Sequence, residues 1–472
     1  VGTKALGYGL GVAGEASDPN FNQTVLLLHS DGSEGEGNTP NLGDPNYKAF
    51  RDNSTSTRGI VVNGDAYGND FSPYYYADGY WSRFSDSTTN SDTHGSGITL
   101  GTNNFTIGMF VYPLSSLGSR TALYADTGAD TFILAHDQLL INAGSTWTIT
   151  IDFTTDIVAN QWQWLQVDRT GSTFRVSING SYVDGGGATS SGTIPAINTG
   201  TFGERGGQAD YTGYFSNFIL INGANRGSIA TPTAPLTANS DTALLLYQSN
   251  RLINNGNTSV TLTSGGDNKI STTTPFTQSK TANVGSGFFD GTGDGLTTAG
   301  SSDFAFGTSD FTLEAWAYPF GTGGTQVIID TRYSNNNNTD NLSSMAWFGT
   351  QLGSYSNGNI VSGTDISLIK NAWNHLAVQR ISNTMYYSIN GKVSSTTPTL
   401  SNNFNNTGAF PSIGGNVGLG ASMFTGYLAD VRIVNGTGVY GTSDFSVPTA
   451  PLTAVTNTKL LTCQYSGAVR NV

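Results

Sequence analysis

The sequence predicts an all-β protein built from two tandem antiparallel β-sandwich domains, and three observations lead to this fold class. First, the run TPTAPLTA at residues 231–238 returns as VPTAPLTA at residues 447–454, a shift of 216 from Pro232 to Pro448. A period this long repeats a whole domain. Second, apolar and polar residues alternate over short runs such as residues 174–178, which is the period of a strand. Third, the helix former Glu is scarce and stands only at positions 15, 34, 36, 204 and 314.

The repeat continues through the interior of both copies. The matching blocks are residues 104–107 with 310–313, 160–169 with 371–380, 177–180 with 388–391, and 213–223 with 426–436. Four blocks recurring in one order argue against a chance match between low-complexity segments. The shift grows from 206 for the first block to 216 for the last motif, which places small insertions in the loops between strands. Asn179-Gly180 and Asn390-Gly391 are typical hairpin turns that end a strand in each copy.

One apolar strand occurs three times, at residues 25–29, 243–247 and 459–463. Two interpretations remain open, and they are compatible: the opening strand of each unit closes the preceding one, or the chain is part of a longer array. The predicted domains are an N-terminal arm at 1–24, a first sandwich at 25–238 and a second sandwich at 239–458. Residues 459–472 are then a closing strand or the start of a third repeat.

Composition excludes several classes of function. The net charge of −13 repels phosphate backbones, so nucleic-acid binding is not expected. The chain has no apolar run of about 18 residues, and membrane insertion is therefore not expected. The first residues lack the long apolar core of a secretory signal. The single Cys463 leaves no partner for an intrachain disulfide.

Several blocks carry a resemblance to a known family. Residues 288–296 and 303–319 resemble the opening strands of a laminin-G-like, concanavalin-A-like jelly roll. Residues 373–378, 388–392 and 426–433 resemble the central and closing strands of the same family. The first copy departs from this pattern, because FSDSTT at residues 84–89 stands where the second copy has FDGTGD at residues 289–294.

The style of the repeat resembles tandem domains in virion structural proteins of marine bacteriophages. This narrower resemblance lies in the opening residues 26–29, the closing residues 449–453, and the starting segments 6–11 and 18–21. It implies a tail fibre or decoration protein on the virion surface, in contact with other virion proteins and with copies of itself, commonly as a trimer. The Gly-rich segment before Thr24 is then the arm that docks to the particle.

Aromatic and aliphatic residues of the repeated strands are predicted to fill the space between two sheets. The predicted core residues are Phe105, Ile107, Phe110, Trp162, Trp164, Phe311, Leu313, Trp316 and Trp373.

Catalysis is not expected from the sequence. Concanavalin-like glucanases place paired carboxylates on one strand, so that acid and nucleophile face the same sugar ring. Glu314 is the only Glu on a predicted central strand, and no carboxylate follows it at the second or fourth position. The four His residues are scattered, and no zinc spacing or phosphate loop is present.

Calcium is the metal that the jelly-roll resemblance implies, because many such domains hold it on the rim of the sandwich with hard oxygen ligands. Asp126 and Asp330 occupy matching strand ends, while Asp290 and Asp294 lie in a Gly-rich turn. The alternative interpretation is that these carboxylates cap turns.

The densest aromatic patch is a candidate glycan-binding site, since exposed rings stack on sugar faces. Its residues are Tyr74, Tyr75, Tyr76, Tyr80 and Trp81. The alternative is a strand edge or a contact between subunits. Asn336 and Asn337 lie in an Asn run, where a polar loop tip can hydrogen-bond carbohydrate and where loop variability is the alternative.

Three functions from different classes follow from these observations. The first is a non-enzymatic virion structural and adhesive protein that contacts host glycans through sandwich loops. The second is a carbohydrate-binding adhesin on a bacterial cell surface. The third, which lacks its carboxylate pair, is a glycan hydrolase.

Overall fold

The chain is all-β, which confirms the predicted fold class. The computed structural model describes residues 60–464 except 64–67, 70, 87–90, 128–130, 143–146, 206–209, 279–280, 282–283, 299, 322, 332–343, 350, 357–358, 405–410 and 417–419. In these residues it has 31 strands and one three-residue 3-10 helix, Ser302–Phe304. No helix in the described part is long and apolar enough to cross a membrane. The predicted arm at 1–24 lies outside the described residues.

Two antiparallel sheets form the first sandwich. The major sheet has nine strands in the order β12-β11-β10-β5-β15-β3-β18, with β13 beside β11 and β16 beside β15: β3 (Ser82–Asp86), β5 (Phe105–Pro113), β10 (Gln163–Thr170), β11 (Thr173–Ile178), β12 (Ser181–Tyr182), β13 (Ala188–Thr189), β15 (Thr212–Asn222), β16 (Thr242–Leu246) and β18 (Lys269–Ser271). The minor sheet has seven strands in the order β17-β4-β14-β6-β7-β8-β9: β4 (Asp92–Gly101), β6 (Ala122–Asp126), β7 (Phe132–Ala135), β8 (Gln138–Asn142), β9 (Trp147–Asp152), β14 (Ile194–Phe202) and β17 (Leu262–Thr263).

The second sandwich repeats this plan with one strand fewer in its major sheet, where the described residues form no counterpart of β13. Its major sheet has eight strands in the order β2-β19-β30-β21-β26-β27-β28, with β31 beside β30: β2 (Gly68–Asn69), β19 (Ser286–Asp290), β21 (Phe311–Pro319), β26 (Asn374–Ile381), β27 (Thr384–Ile389), β28 (Lys392–Val393), β30 (Thr425–Asn435) and β31 (Thr458–Thr462). Its minor sheet has seven strands in the order β1-β20-β29-β22-β23-β24-β25: β1 (Ile60–Asn63), β20 (Gly295–Thr298), β22 (Thr325–Asp330), β23 (Ser344–Phe348), β24 (Gln351–Ser356), β25 (Asn359–Ser362) and β29 (Ser412–Ile413).

Each sandwich has its own apolar core between its two sheets. Phe105 and Ile107 of β5 face this core in the first sandwich, and Phe311 and Leu313 of β21 face it in the second. All four side chains are fully buried. The prediction of a sandwich core is therefore correct for these residues.

The other predicted core aromatics lie on the outer faces of the major sheets. Phe110 and Trp164 belong to a separate cluster outside the first core, with Trp162 packed against it. Trp316 and Trp373 belong to a cluster between the two sandwiches. The predicted position between the sheets is wrong for these five residues. Successive side chains of a strand point to opposite faces, so Phe110 cannot share a face with Phe105, five positions earlier.

The repeated TAPLT motif is held to the closing strand by one side chain in each sandwich. Asn217 and Asp430 both adopt positive φ (51° and 50°), which Asn and Asp tolerate better than most residues. Asn217 Oδ1 accepts a hydrogen bond from Leu236 N at 3.0 Å, and Asp430 Oδ2 accepts one from Leu452 N at 2.9 Å. The motif therefore recurs because it anchors a loop over the outer face of each major sheet.

Strand β16 pairs with β15, and β31 pairs with β30 in the same way. The repeated apolar strand therefore closes the sandwich that precedes it, as one of the two interpretations proposed. The predicted domain boundary lies between residues 238 and 239. The strand pairing places the boundary later, because β16, β17 and β18 (residues 242–271) belong to the sheets of the first sandwich. Conversely, β1 and β2 pair with β20 and β19 of the second sandwich.

Candidate ligand-binding surface

The predicted aromatic patch at residues 74–81 lies between the two sandwiches. Tyr74 is 7 % exposed and Trp81 is fully buried, within the cluster that also holds Trp316 and Trp373. Tyr74 Oη donates a hydrogen bond to Asp430 Oδ2 at 2.7 Å, and Trp81 Nε1 donates to the Tyr76 carbonyl at 2.9 Å. The prediction that the rings of Tyr74 and Trp81 stack on a sugar is corrected here, because both side chains are buried.

The remaining aromatic residues of the patch are only partly covered. Tyr75 and Tyr76 pack against the cluster between the sandwiches, and Tyr80 packs beside Phe276 on the first sandwich. The predicted patch is thus divided between the cluster that lies between the sandwiches and a cluster on the outer face of the first sandwich. Asn336 and Asn337 lie outside the described residues.

The four candidate calcium ligands do not converge. Asp126 is buried at the end of β6 and accepts hydrogen bonds from Thr131 Oγ1 and from Thr199 N, the latter at 3.2 Å. Asp330 is buried at the equivalent end of β22. Asp294 accepts from Asp290 N at 2.9 Å, and Asp290 accepts from Thr292 N at 2.6 Å. In the described part of the chain, no group of three or more His, Cys, Asp or Glu side chains is placed to hold a metal ion.

Glu314 is fully buried and lies on the outer face of β21 in an ionic cluster. Its Oε1 is 2.6 Å from Arg432 Nη2, and its Oε2 is 3.3 Å from His375 Nε2 and accepts a hydrogen bond from Tyr440 Oη. Burial opposes the charge, but the contacts with His375, Arg432 and Tyr440 hold the pKa of the Glu314 carboxyl below its usual range. The first sandwich has Gly108, Trp164 and Ile219 at the positions of Glu314, His375 and Arg432, so the cluster is a feature of one copy.

Replacing Glu314 with glutamine is expected to lower the free energy of unfolding at pH 7 by about 2 kcal/mol, because a buried charge-assisted hydrogen bond to Arg432 is lost. The folded-state pKa of Glu314 is depressed, so its stabilisation is present above its unfolded pKa of roughly 4.3 and is lost as pH falls further. Urea denaturation of both proteins between pH 7 and pH 3 measures this. A difference that stays constant down to pH 3 would contradict an ionised Glu314.

Four aromatic rings form one contiguous group on the outer face of the first major sheet, which we call the open row. Phe84 of β3 is the register partner of Tyr214 of β15, and Tyr214 is the partner of Tyr112 of β5. Trp162, just before β10, completes the row. Successive ring centroids are 5.3, 6.0 and 5.5 Å apart, and all four side chains are partly exposed. Neighbouring strands lie about 4.8 Å apart, so register alone produces this spacing.

The open row is suited to bind a ligand ring that has apolar faces and polar edges. Its neighbouring rings are tilted to one another by 47–73°, so they present a ridged apolar surface rather than a flat one. The ammonium of Lys269 lies 5.2 Å from the centroid of Phe84 and is a hydrogen-bond donor at one end of the row. Tyr112 and Tyr214 add phenol groups along it. Apolar faces with polar edges are the arrangement that aromatic side chains and nearby donors bind.

The second sandwich carries the same four aromatics, Phe288, Tyr427, Tyr318 and Trp373, which we call the covered row. Its successive centroids are 5.3, 6.0 and 5.6 Å apart. Phe71 lies against it, with its ring 5.1 Å from Tyr427, 5.2 Å from Tyr318 and 5.4 Å from Trp373. Tyr318 is 4 % exposed and Trp373 is fully buried, while Phe288 and Tyr427 are partly exposed.

One substitution distinguishes the two rows. The register of β18 on β3 and of β2 on β19 makes Thr273 the equivalent of Phe71. The first sandwich therefore has a small polar residue where the second is covered by a phenylalanine. Sequence analysis missed the open row because its members come from three strands and the segment before a fourth, and only folding brings these together. The one local signal was the two-residue alternation of β5, which puts Tyr112 on the face opposite to Phe105 and Ile107.

Residues 290–437, within the second sandwich, match the model of the concanavalin A-like lectin/glucanases superfamily, laminin G type. The second sandwich is thus a laminin-G-like, concanavalin A-like jelly-roll domain, as the resemblance implied. No curated protein matches the chain.

The chain is also similar to several solved structures. The LG4-5 domains of mouse laminin alpha1 share 12 % identity, with 84 % of this chain and 98 % of that chain covered and a TM-score of 0.27. Domain 4 of an extracellular arabinanase from Geobacillus stearothermophilus, solved with arabinotriose, shares 20 % identity, covering 32 % and 71 %, with a TM-score of 0.27. A SAP-like pentraxin from Limulus polyphemus shares 17 % identity, covering 31 % and 77 %, with a TM-score of 0.24.

Proposed function

We propose that this chain is a non-enzymatic glycan-binding protein whose binding surface is the open row of the first sandwich. The observation that carries the proposal is the contrast between two equivalent aromatic rows. Phe71 packs over Tyr318 and Trp373 in one row and buries them, whereas their equivalents beside Thr273 in the other row, Tyr112 and Trp162, are partly exposed. Contiguous exposed apolar surface marks ligand-binding grooves and interaction sites, whereas single exposed apolar residues are ordinary.

We also propose that this chain does not hydrolyse the glycans it binds. Glycoside hydrolysis requires two carboxyl groups on either side of the scissile bond. Glu314 is the Glu of the central strands, and its carboxylate is buried in an ion pair with Arg432. A carboxylate in that position supports the packing of the second major sheet and does not meet a sugar.

Replacing Trp162 with alanine is expected to abolish binding to the glycans that the wild-type chain retains on a glycan array. The substitution removes the largest ring of the open row. The free energy of unfolding is expected to change little, because the Trp162 ring is partly exposed. Tyr182→Ala is the matched control, because Tyr182 is an aromatic residue 49 % exposed at the far edge of the same sheet. Loss of binding in the Tyr182 variant alone, or in neither variant, would contradict the assignment to the open row.

The role of calcium is tested in the same assay. Contacts through aromatic rings and an ammonium group require no metal, so binding is expected to survive chelation by EDTA. Loss of binding with EDTA that calcium restores would favour the alternative in which Asp290 and Asp294 of the Gly-rich turn contribute to a rim site.

For the biological setting we propose a structural and adhesive component of a bacteriophage virion, such as a tail fibre or decoration protein, in contact with other virion proteins and self-associated. The resemblance of the opening and closing motifs supports this setting. A carbohydrate-binding adhesin on a bacterial surface is the second candidate. Mass spectrometry of purified virions and of bacterial surface fractions distinguishes them, since each predicts the chain in one sample and not in the other.

A further inference from the structure

The open row has a cation at one end. Lys269 of β18 is the register partner of Phe84 of β3, and residues paired across antiparallel strands place their side chains on the same face of the sheet. The ammonium of Lys269 accordingly lies 5.2 Å from the centroid of the Phe84 ring. The row of aromatic rings therefore continues, one strand further along the sheet, into a positive charge.

The charge of Lys269 is not neutralised by a carboxylate of the described residues. Lys269 is exposed and forms no ion pair among them, whereas Lys392 lies 2.8 Å from Asp444. Asp86 lies on the same face of β3 as Phe84, two positions along the strand, and it forms no ion pair with Lys269 either. The ammonium is therefore available to a negative charge from outside the chain.

Hydroxyl groups flank the row on the side of β18. Thr273 takes the place that Phe71 has on the second sandwich, and it belongs to a run of four hydroxyl residues at 271–274. All four are partly exposed. A hydroxyl group both donates and accepts hydrogen bonds. A ligand on the open row thus meets aromatic faces, hydroxyl groups at one side and an ammonium group at one end.

We propose that the open row selects acidic glycans, with a carboxylate or sulfate group of the glycan bound by the Lys269 ammonium while a sugar ring packs on the aromatic side chains. This inference rests on the proposed glycan-binding function of the row. The chain has a net charge of −13, so its overall field does not attract an anion. Charges in water are screened beyond about 10 Å, and a hydrogen bond between two ions is stronger than a neutral one. The local contact with Lys269 therefore decides between the acidic and the neutral form of one glycan.

A glycan array printed with matched pairs tests this proposal on the full chain. The pairs are sialyllactose with lactose, galacturonate oligomers with their methyl esters, and sulfated with unsulfated galactose oligomers. The first two pairs differ by a carboxylate and the third by a sulfate, so the array also identifies the acidic group. Lys269→Gln removes the charge beside the row. Lys392→Gln is the matched control, since it removes the same charge from a side chain that is 67 % exposed on the second sandwich.

The wild-type chain is expected to be retained more strongly on the acidic member of at least one pair. Lys269→Gln is expected to lower that retention about fivefold and to leave retention on the neutral member unchanged, because only the ionic contact is lost. Lys392→Gln is expected to change neither. Added sodium chloride is expected to weaken the preference of the wild-type chain for the acidic member.

Equal retention of the wild-type chain on both members of every pair, or an acidic preference that survives Lys269→Gln, would overturn the proposal. If Trp162→Ala still abolishes that retention, the open row remains the glycan-binding surface and only the preference for acidic ligands is wrong. Retention of the wild-type chain on no member, or retention unchanged by Trp162→Ala, would overturn the proposed function and this inference with it.

Discussion

Asp92→Ala is expected to lower the free energy of unfolding by about 3–5 kcal/mol, because it leaves the guanidinium of Arg83 buried without its counter-charge. The Arg83 side chain is fully buried. Burial opposes its charge, but the neighbouring Asp92 carboxylate raises the pKa of Arg83, so Arg83 remains a cation in the folded chain. Removing Asp92 also takes the acceptor from Gly265 N and Asn268, which lie in the turn between β17 and β18.

The double variant Arg83→Met with Asp92→Leu separates the ion pair from the packing around it. Replacing both charges with apolar groups of similar volume removes the uncompensated cation, and such replacements are often neutral. We therefore expect the double variant to be more stable in urea than Asp92→Ala. An equal or greater loss in the double variant would mean that shape, and not charge, fixes this turn.

The prediction of two β sandwiches from the sequence succeeded because its signals are local and repeated. Alternation within strands, Asn-Gly turns and four recurring blocks each depend on residues close in sequence. The TAPLT motif is an example. Its two occurrences lie against different sheets. In both, a side-chain oxygen of the closing strand (Asn217 or Asp430) accepts a hydrogen bond from the backbone N–H of the motif leucine (Leu236 or Leu452).

The sequence could not predict that β1 and β2 pair with the second sandwich while β17 and β18 pair with the first. These pairings depend on which of two equivalent sheet edges a short segment meets. Strands β2, β17 and β18 are two or three residues long and have no distinctive pattern. The same limit explains the aromatic patch at residues 74–81. Its composition is visible in the sequence, but only the meeting of two sandwiches buries Tyr74 and Trp81.

The faces of the repeated tryptophans were misassigned for a different reason. Hydrophobic character indicates that a side chain is buried but not what covers it, and a sheet covered on both faces has two buried sides. Trp373 is covered by Phe71 and the first sandwich, and its equivalent Trp162 is partly exposed. Two identical residues at one structural position therefore have different energetic roles.

Trp373→Ala is expected to lower the free energy of unfolding by about 3–5 kcal/mol, because a fully buried indole leaves a cavity between the sandwiches. The rings of Phe71, Tyr318 and Tyr427 all lose contact with it. Trp162→Ala at the equivalent position is the matched control and is expected to cost roughly 1 kcal/mol or less. Urea denaturation of both variants measures the difference. Equal losses would mean that Phe71 does not cover the row on the second sandwich in solution, and the contrast between an open and a covered row would fail with it.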